Sequence, residues 1–119
     1  MRHIESRQQS AYVRWFRLQY PELSWLLFSV PNGVATSATQ ARIAKAEGMV
    51  AGVSDLILLH PSGDGQDPGL CIECKTEKGR QSDSQKIWQK KVEAVGYKYV
   101  VVRSFDDFLH EISQFLKKF

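Results

Sequence analysis

The chain contains the segment Gly52-Val53-Ser54-Asp55-Leu56-Ile57-Leu58-Leu59 and, after one loop, the segment Gly69-Leu70-Cys71-Ile72-Glu73-Cys74-Lys75. The apolar runs in these two segments decide the fold. The first is apolar at every position after the aspartate, which is typical of a central strand covered on both faces. Because side chains alternate between the faces of a strand, Glu73 and Lys75 are predicted to point the same way. Two carboxylates, Asp55 and Glu73, and an ammonium at one edge of a sheet are suited to holding a divalent cation and activating water.

The same three charged residues also have a simpler interpretation. A structural ion pair, or charged residues exposed at strand ends, can occur in any α/β protein. Three neighbouring features favour the catalytic interpretation: Gly52 lies just before the aspartate, the glutamate and lysine have Glu-x-Lys spacing, and Gln85 lies at a helix start after a basic loop. Both interpretations remain open from the residues alone.

Composition indicates a soluble globular protein of one domain, residues 1–119. The chain is 43% hydrophobic and 24% charged, and its length allows one sizeable core but not two. The net charge of +3 permits an anionic partner such as nucleic acid without requiring one. The basic residues are spread over several segments rather than forming one block.

The lack of recognisable targeting signals and the few cysteines predict a location in the reducing cytoplasm. No apolar stretch approaches the roughly 20 residues of a membrane helix, and the N-terminus lacks the apolar region of a secretory signal. The two cysteines argue against a disulfide scaffold. Cys71 and Cys74 have C-x-x-C spacing, but on a strand this turns their sulfurs to opposite faces, and no second pair completes a zinc site. We therefore expect Cys74 to be a buried free cysteine.

Hydrophobic periodicity predicts alternating helices and strands. The predicted elements are a helix over 3–20, a strand over 25–30, a helix over 39–47, a strand over 56–59, a strand over 70–77, a helix over 82–95, a strand over 97–102 and a last helix capped by Ser104 or Asp106. Pro31-Asn32-Gly33 predicts a turn, and Ser82 with Gln85 fits a capping box. This order predicts an α/β sandwich with a mixed central sheet of about four strands flanked by helices. Within it, an antiparallel hairpin is followed by a helical crossover.

Two predicted helices carry an apolar stripe whose members we expect to be buried. In the first helix the stripe comprises Ile4, Gln8, Ala11, Trp15 and Leu18, widened by Tyr12 and Phe16. In the helix over 82–95 it comprises Ile87, Trp88, Val92 and Val95.

Three motifs in chain order resemble the PD-(D/E)XK nuclease superfamily. They are Gly52-Val53-Ser54-Asp55, Glu73-Cys74-Lys75 and Ser82-Asp83-Ser84-Gln85. Within the superfamily the chain is similar to the VRR-NUC (virus-type replication-repair nuclease) domains, of the stand-alone phage or bacterial type. The turn at Pro31-Asn32-Gly33, the helix ending at Gly48 and the closing segment 99–104 also suit that family, so the resemblance covers nearly the whole chain. Ser54 departs from the pattern, because it stands where the superfamily name has proline, which is not a ligand.

The resemblance implies metal-dependent hydrolysis of DNA phosphodiester bonds. It assigns Mg²⁺ or Mn²⁺ to Asp55, Glu73 and the backbone carbonyl of Cys74, which are hard oxygen ligands. Lys75 would orient or deprotonate the attacking water, and Gln85 would lie against the catalytic strand. The remaining residues that it assigns are Glu5, which would complete the metal site with help from Gln9, and Lys78, Arg80 and Lys86, which would contact DNA phosphates. For Glu5 the alternative is a solvated acid favoured by the helix dipole.

The resemblance also implies a homodimer that is selective for branched DNA such as four-way (Holliday) junctions, in the cytoplasm of a bacterium or a phage-infected host. The residues show no helix-turn-helix or zinc finger that would read sequence. Two alternatives remain: a catalytically silent DNA-binding module, and a restriction-type nuclease that reads a short sequence. The expected interface residues are Trp15, Phe16, Tyr20, Trp25 or Phe119.

Overall fold

A computed structural model describes residues 2–31 and 37–118. Its elements are α1 (Arg2–Gln19), a 3₁₀ helix (Pro21–Leu26), β1 (Leu27–Ser29), α2 (Ala38–Ala46), β2 (Leu56–Leu58), β3 (Leu70–Cys74), α3 (Asp83–Ala94), β4 (Lys98–Val102) and α4 (Phe105–Leu116). Helices and strands therefore follow the predicted order, with the 3₁₀ helix added. Two residues of the predicted turn, Asn32 and Gly33, and the expected interface residue Phe119 lie outside the described residues.

The strands form one mixed sheet in the order β1-β2-β3-β4, which confirms the predicted fold class. β2 pairs antiparallel with β1 on one side and with β3 on the other, so the hairpin is antiparallel and β2 is an interior strand. β3 and β4 are parallel and are joined through α3, which is the predicted helical crossover.

The two faces of the sheet differ in character. α1 and α4 cover one face, where Tyr12 stacks on Phe108 with ring centroids 4.7 Å apart. The strand side chains that join this core alternate along each strand and include Leu56, Ile72 and Val102. Because of that alternation, Glu73 and Tyr99 lie on the opposite face, where α3 packs and Trp88 contacts the ring of Tyr99. The hydrophobic core and the charged motifs are thus separated by the sheet itself.

Two predicted strand boundaries are wrong. Trp25 and Leu26 belong to the 3₁₀ helix, which Pro21 begins, and Trp25 is 93% exposed. Pro21 suits the first position of a helix because that position needs no backbone N–H donor. β3 ends at Cys74 rather than at residue 77, although the Lys75 amide still donates to the carbonyl of Val102 at 2.9 Å.

The predicted apolar stripe of α1 is confirmed in part. Tyr12 and Phe16 are buried and Trp15 packs against the core, whereas Leu18 is 77% exposed and Ala11 is exposed. The large rings of Tyr12 and Phe16 remove more apolar surface from water than the smaller side chains would, so the helix is oriented by them.

The predicted buried face of α3 is wrong for two of its four residues. Ile87 and Val95 are 57% and 70% exposed, while Trp88 and Val92 are partly buried. The sheet surface beneath α3 presents Glu73 and Tyr99, so the helix turns polar side chains toward it as well as Trp88.

Smaller expectations hold. Ser104 rather than Asp106 caps α4, its hydroxyl accepting from the Asp107 amide at 3.1 Å. Cys71 and Cys74 are both free and buried. Within the described ranges, no helix is long and apolar enough to cross a membrane.

Candidate active site

The antiparallel pairing of β2 and β3 brings the two motif carboxylates together. Leu56 pairs with Ile72, and continuing this register by one residue places Asp55 opposite Glu73 on the same face of the sheet. The backbone amide of Cys74 donates to Oδ2 of Asp55 at 2.7 Å, which fixes the aspartate against β3. Cross-strand neighbours of this kind have Cβ atoms about 5 Å apart. The site therefore follows from sheet register and not from sequence proximity.

Glu73 is the most enclosed charged residue of the site. It is 1% exposed, and its burial, followed by the negative charge of Asp55 and a hydrogen bond with it, raises the pKa of Glu73 to about 9. Two carboxylates this close cannot both ionise without a counter-charge. A divalent cation between them would supply that charge.

Lys75 provides part of the compensation. Its Nζ lies 3.8 Å from Oε2 of Glu73, and its side chain is 13% exposed. This is the ion pair of the simpler interpretation, but one ammonium faces two carboxylates, Asp55 and Glu73, so with both acids ionised the cluster carries a net negative charge. An ion pair built only for stability needs no second acid beside it.

Gln85 joins the start of α3 to the catalytic strand. Its Oε1 accepts from the Ser82 amide at 2.8 Å, and its own backbone amide donates to the Ser82 hydroxyl at 3.2 Å, which is a complete capping box. The backbone amide of Ser82 can only donate, so the side-chain oxygen of Gln85 must face it. The side-chain NH₂ group of Gln85 therefore faces Glu73, and Nε2 donates to Oε2 at 2.9 Å. The capping box and the contact with Glu73 thus coexist in one side chain.

Gly52 allows α3 to approach the sheet closely enough for this contact. Its φ is +84°, and a Cβ built there would overlap the backbone carbonyl of Ser84 and lie 2.7 Å from the amide of Gln85. Only glycine combines this left-handed backbone with such a close approach. The glycine before the aspartate thus sets the distance between Gln85 and Glu73.

Tyr99 and Gln81 belong to the site although no motif identifies them. The Tyr99 hydroxyl lies 3.5 Å from Oε1 of Glu73, and Gln81 donates to that hydroxyl at 3.1 Å. The parallel pairing of β3 with β4 sets Cys71 beside Tyr99, which puts Tyr99 on the same face as Glu73. This register depends on where the crossover helix ends, so residue pattern alone did not reveal it.

Glu5 lies near the site but not in a formed cluster with Asp55 and Glu73. It is partly buried on the face of α1 that also carries Tyr12, and its charge contributes, after burial and the carboxylates of Asp55 and Glu73, to raising the pKa of the Cys74 thiol. Among the residues that the structure describes, no three His, Cys, Asp or Glu side chains are grouped closely enough to hold a metal ion. A role for Glu5 as a ligand therefore stays a prediction.

The donor set nevertheless fits a hard cation. Asp55 and Glu73 offer carboxylate oxygens and Cys74 a backbone carbonyl, while its thiol lies in the core. Mg²⁺ is typically bound through one or two carboxylates, with water and substrate phosphate completing its shell. The oxygen donors of Asp55, Glu73 and Cys74 are thus of the kind that Mg²⁺ or Mn²⁺ takes.

The three predicted DNA-contacting residues, Lys78, Arg80 and Lys86, are exposed in the loop between β3 and α3 and in the first turn of α3. Arg103 stabilises the loop between β3 and α3, because its guanidinium donates to the backbone carbonyls of Thr76, Glu77 and Gly79. The only ion pair found among residues 2–31 and 37–118 is that of Lys75, so these cations are available to an anion.

Comparisons with known proteins agree with this geometry. The model of the VRR-NUC domain family matches residues 2–106. A solved structure described as a VRR_NUC domain protein superposes with a TM-score of 0.80 at 25% sequence identity, over 93% of this chain and 86% of that one. The search of curated proteins gave no match. The family match covers β3, the capped helix α3 and β4, and on this basis the chain belongs to the VRR-NUC family of nuclease-type DNA-processing domains.

Proposed function

We propose that residues 1–119 form one metal-dependent endodeoxyribonuclease domain that hydrolyses DNA phosphodiester bonds. One observation carries the proposal: Asp55 and Glu73 are held side by side on one sheet face, with Lys75 at 3.8 Å from Glu73, so that both acids can ionise together only if a cation is added. A cation site beside a lysine is suited to phosphodiester hydrolysis, because the cation can polarise the phosphate and activate water.

Each residue then has a separate task. A bound Mg²⁺ or Mn²⁺ would supply Lewis-acid stabilisation of the phosphate and lower the pKa of an attacking water. Asp55, Glu73 and the Cys74 carbonyl bind the ion, and Lys75 orients or deprotonates the water and stabilises charge on the phosphoryl oxygens. Gln85 contacts Glu73 rather than the reacting atoms, so we assign it a positioning role.

Substrate binding is proposed to be electrostatic and independent of sequence. Lys78, Arg80 and Lys86 border the site on one side, and contacts from such residues to phosphates position DNA without reading its bases. The chain is small for recognition of a long sequence, which favours selectivity for DNA shape, such as a branch or a four-way junction.

A homodimer would place two such sites for paired cuts on opposing strands. Of the expected interface residues, Phe16 is fully buried in the core and Trp15 and Tyr20 pack against it, whereas Trp25 is 93% exposed. Trp25 is therefore the one of these four that an interface could cover. Light scattering should give twice the chain mass of 13.6 kDa, and a mass of one chain at the working concentration would refute the dimer.

The activity is tested by incubating the protein with end-labelled linear, flap and four-way DNA, with and without Mn²⁺, and mapping the cuts. We expect metal-dependent internal cuts that cluster at branch points and do not follow one sequence. Cuts at one short sequence in linear duplex would favour a restriction-type enzyme. Salt-dependent binding without any cut in Mg²⁺ or Mn²⁺ would favour a silent DNA-binding module.

A further inference from the structure

A chain of side-chain hydrogen bonds runs from the surface of α3 to the buried carboxylate of Glu73. In order from the surface, Gln89 Nε2 donates to Glu93 at 3.3 Å, Gln81 Nε2 donates to Gln89 Oε1 at 2.9 Å and to the Tyr99 hydroxyl at 3.1 Å, and Tyr99 donates to Glu73 Oε1 at 3.5 Å. None of these four outer residues belongs to the three motifs of the family resemblance, although Tyr99 begins the segment 99–104 that also suits the family.

The direction of the outer bonds in this chain is fixed by chemistry, and that of the last bond is fixed once Glu73 is ionised. A carboxylate can only accept, so Glu93 turns the amide group of Gln89 outward and leaves its oxygen facing Gln81. Gln81 must then donate, and both protons of its amide group are used, one on Gln89 and one on Tyr99. The Tyr99 oxygen is therefore an acceptor toward Gln81, and its single proton is directed at Glu73.

The surroundings of Tyr99 hold its ring and hydroxyl in position. The residue is 7% exposed, and its ring contacts that of Trp88 at a centroid distance of 6.1 Å. The hydroxyl is therefore held between Gln81 and Glu73.

We propose that Tyr99, oriented by Gln81 through this chain, is a positioning residue that holds Oε1 of Glu73 for metal binding. Gln85 holds Oε2 from the other side at 2.9 Å, so the carboxylate is fixed at both oxygens by donors from β4 and α3. The inference rests on the proposed function, since it assigns Glu73 to the metal. Groups that orient a metal ligand in this way typically change metal affinity by about 10- to 100-fold when removed.

The test uses Tyr99→Phe, which removes one hydroxyl and keeps the ring that packs on Trp88. Tyr97→Phe is the matched control, because it removes the same group from an exposed position two residues earlier. We expect Tyr99→Phe to weaken Mn²⁺ binding, measured by calorimetry, about 10-fold, and Tyr97→Phe to bind as the wild type does. Gln81→Met, which removes the amide at similar volume, should weaken binding too. The double variant Gln81→Met/Tyr99→Phe should bind Mn²⁺ little more weakly than either single variant, because both changes break the same chain of hydrogen bonds.

A second measurement needs no metal. In the side-chain amide region of a ¹⁵N–¹H NMR spectrum of metal-free protein, Tyr99→Phe should shift the signals of both Gln81 and Gln85, because Tyr99 and Glu73 connect the two amides. Tyr97→Phe should shift neither.

The two readouts separate the failures. A wild-type protein that binds no Mn²⁺ while the amide shifts appear as expected would overturn the proposed function and the metal-positioning role together, and would leave Tyr99 as a structural donor to Glu73. Wild-type affinity for Mn²⁺ in Tyr99→Phe, or an unmoved Gln85 signal, would overturn the inference and leave the proposed function standing.

Discussion

At Glu73, burial of the side chain conflicts with the negative charge that its carboxylate carries when ionised. Glu73 is a charged side chain 1% exposed in the middle of the structure, beside a second carboxylate from Asp55. Without a cation the conflict is reduced by protonation, which is why the pKa of Glu73 rises to about 9. A divalent ion bound here would relieve the same conflict by supplying the missing positive charge.

This conflict predicts a pH dependence for the metal-free protein. In the folded chain Glu73 keeps its proton up to about pH 9, whereas its ordinary pKa is 4.5, so between these values the folded state binds more protons than the unfolded state. Stability from this group is therefore complete at low pH and is lost as the pH rises toward 9. In the presence of a chelator, the urea midpoint should fall from pH 5 to pH 9, and the fall should be smaller in Glu73→Gln, which cannot ionise.

Glu77→Gln is the matched control for this measurement, because Glu77 is an exposed glutamate on the same segment. It should retain the full pH dependence of the wild type. Parallel curves for the wild type and Glu73→Gln would show that Glu73 is not the group responsible.

At the scale of elements, the docking of α3 on the sheet decides whether Gln85 reaches Glu73. Gly52 is the point of contact, because its backbone lies directly against Ser84 and Gln85 at the start of the helix. The predicted boundaries of α3 and its capping box agree with the structure, since both depend on local signals around Ser82.

Gly52→Ala should lower stability and weaken Mn²⁺ binding together. The alanine is strained at a φ of +84° and also collides with the helix backbone, so we expect a loss of about 2–4 kcal/mol in the free energy of unfolding. Gly65→Ala is the control, because Gly65 has a φ of +74° with nothing within 4 Å of the added Cβ. It should cost about 1 kcal/mol, from backbone strain alone, and leave metal affinity unchanged. Equal costs for the two variants would contradict the close docking of α3.

Prediction from sequence was accurate where the signal is local and failed where packing decides. The order of the elements, the antiparallel hairpin and the capping box all follow from alternation, glycines and a serine before a helix. The buried face of α3 was wrong because Ile87 and Val95 are apolar but the sheet beneath offers Glu73 and Tyr99 as polar partners. The part played by Tyr99 depends on β3–β4 register, which no segment of the chain encodes by itself.

At the scale of the whole molecule, the sheet gathers groups that are far apart in the chain into one site bordered by cations. Asp55 precedes β2, Glu73 lies near the end of β3, and Gln85 begins α3, yet each contacts the end of the same strand. Lys78 and Arg80 lie in the connection between the last two of these elements, so any DNA phosphate at the metal would pass beside them.

Binding of DNA should therefore depend on salt through these residues. With Asp55→Asn present in every protein to prevent cleavage, Lys78→Ala, Arg80→Ala or Lys86→Ala should each weaken binding to all sequences alike. Each should reduce the slope of log affinity against log salt by about 1. Lys98→Ala is the control, because Lys98 begins β4 at the opposite end of the sheet. Unchanged slopes in all three variants would exclude this loop as a phosphate-binding surface.

The most direct test of the account is the rate of Mn²⁺-dependent cleavage of labelled four-way and linear DNA by the wild type, Asp55→Asn and Asp67→Asn, with folding checked by circular dichroism. Asp67 is an acid of the loop at the other end of the hairpin, so its variant controls for the loss of one negative charge. The account predicts that Asp67→Asn cuts as the wild type does and that Asp55→Asn is at least about 100-fold slower while remaining folded. Cleavage by folded Asp55→Asn at the wild-type rate would contradict it.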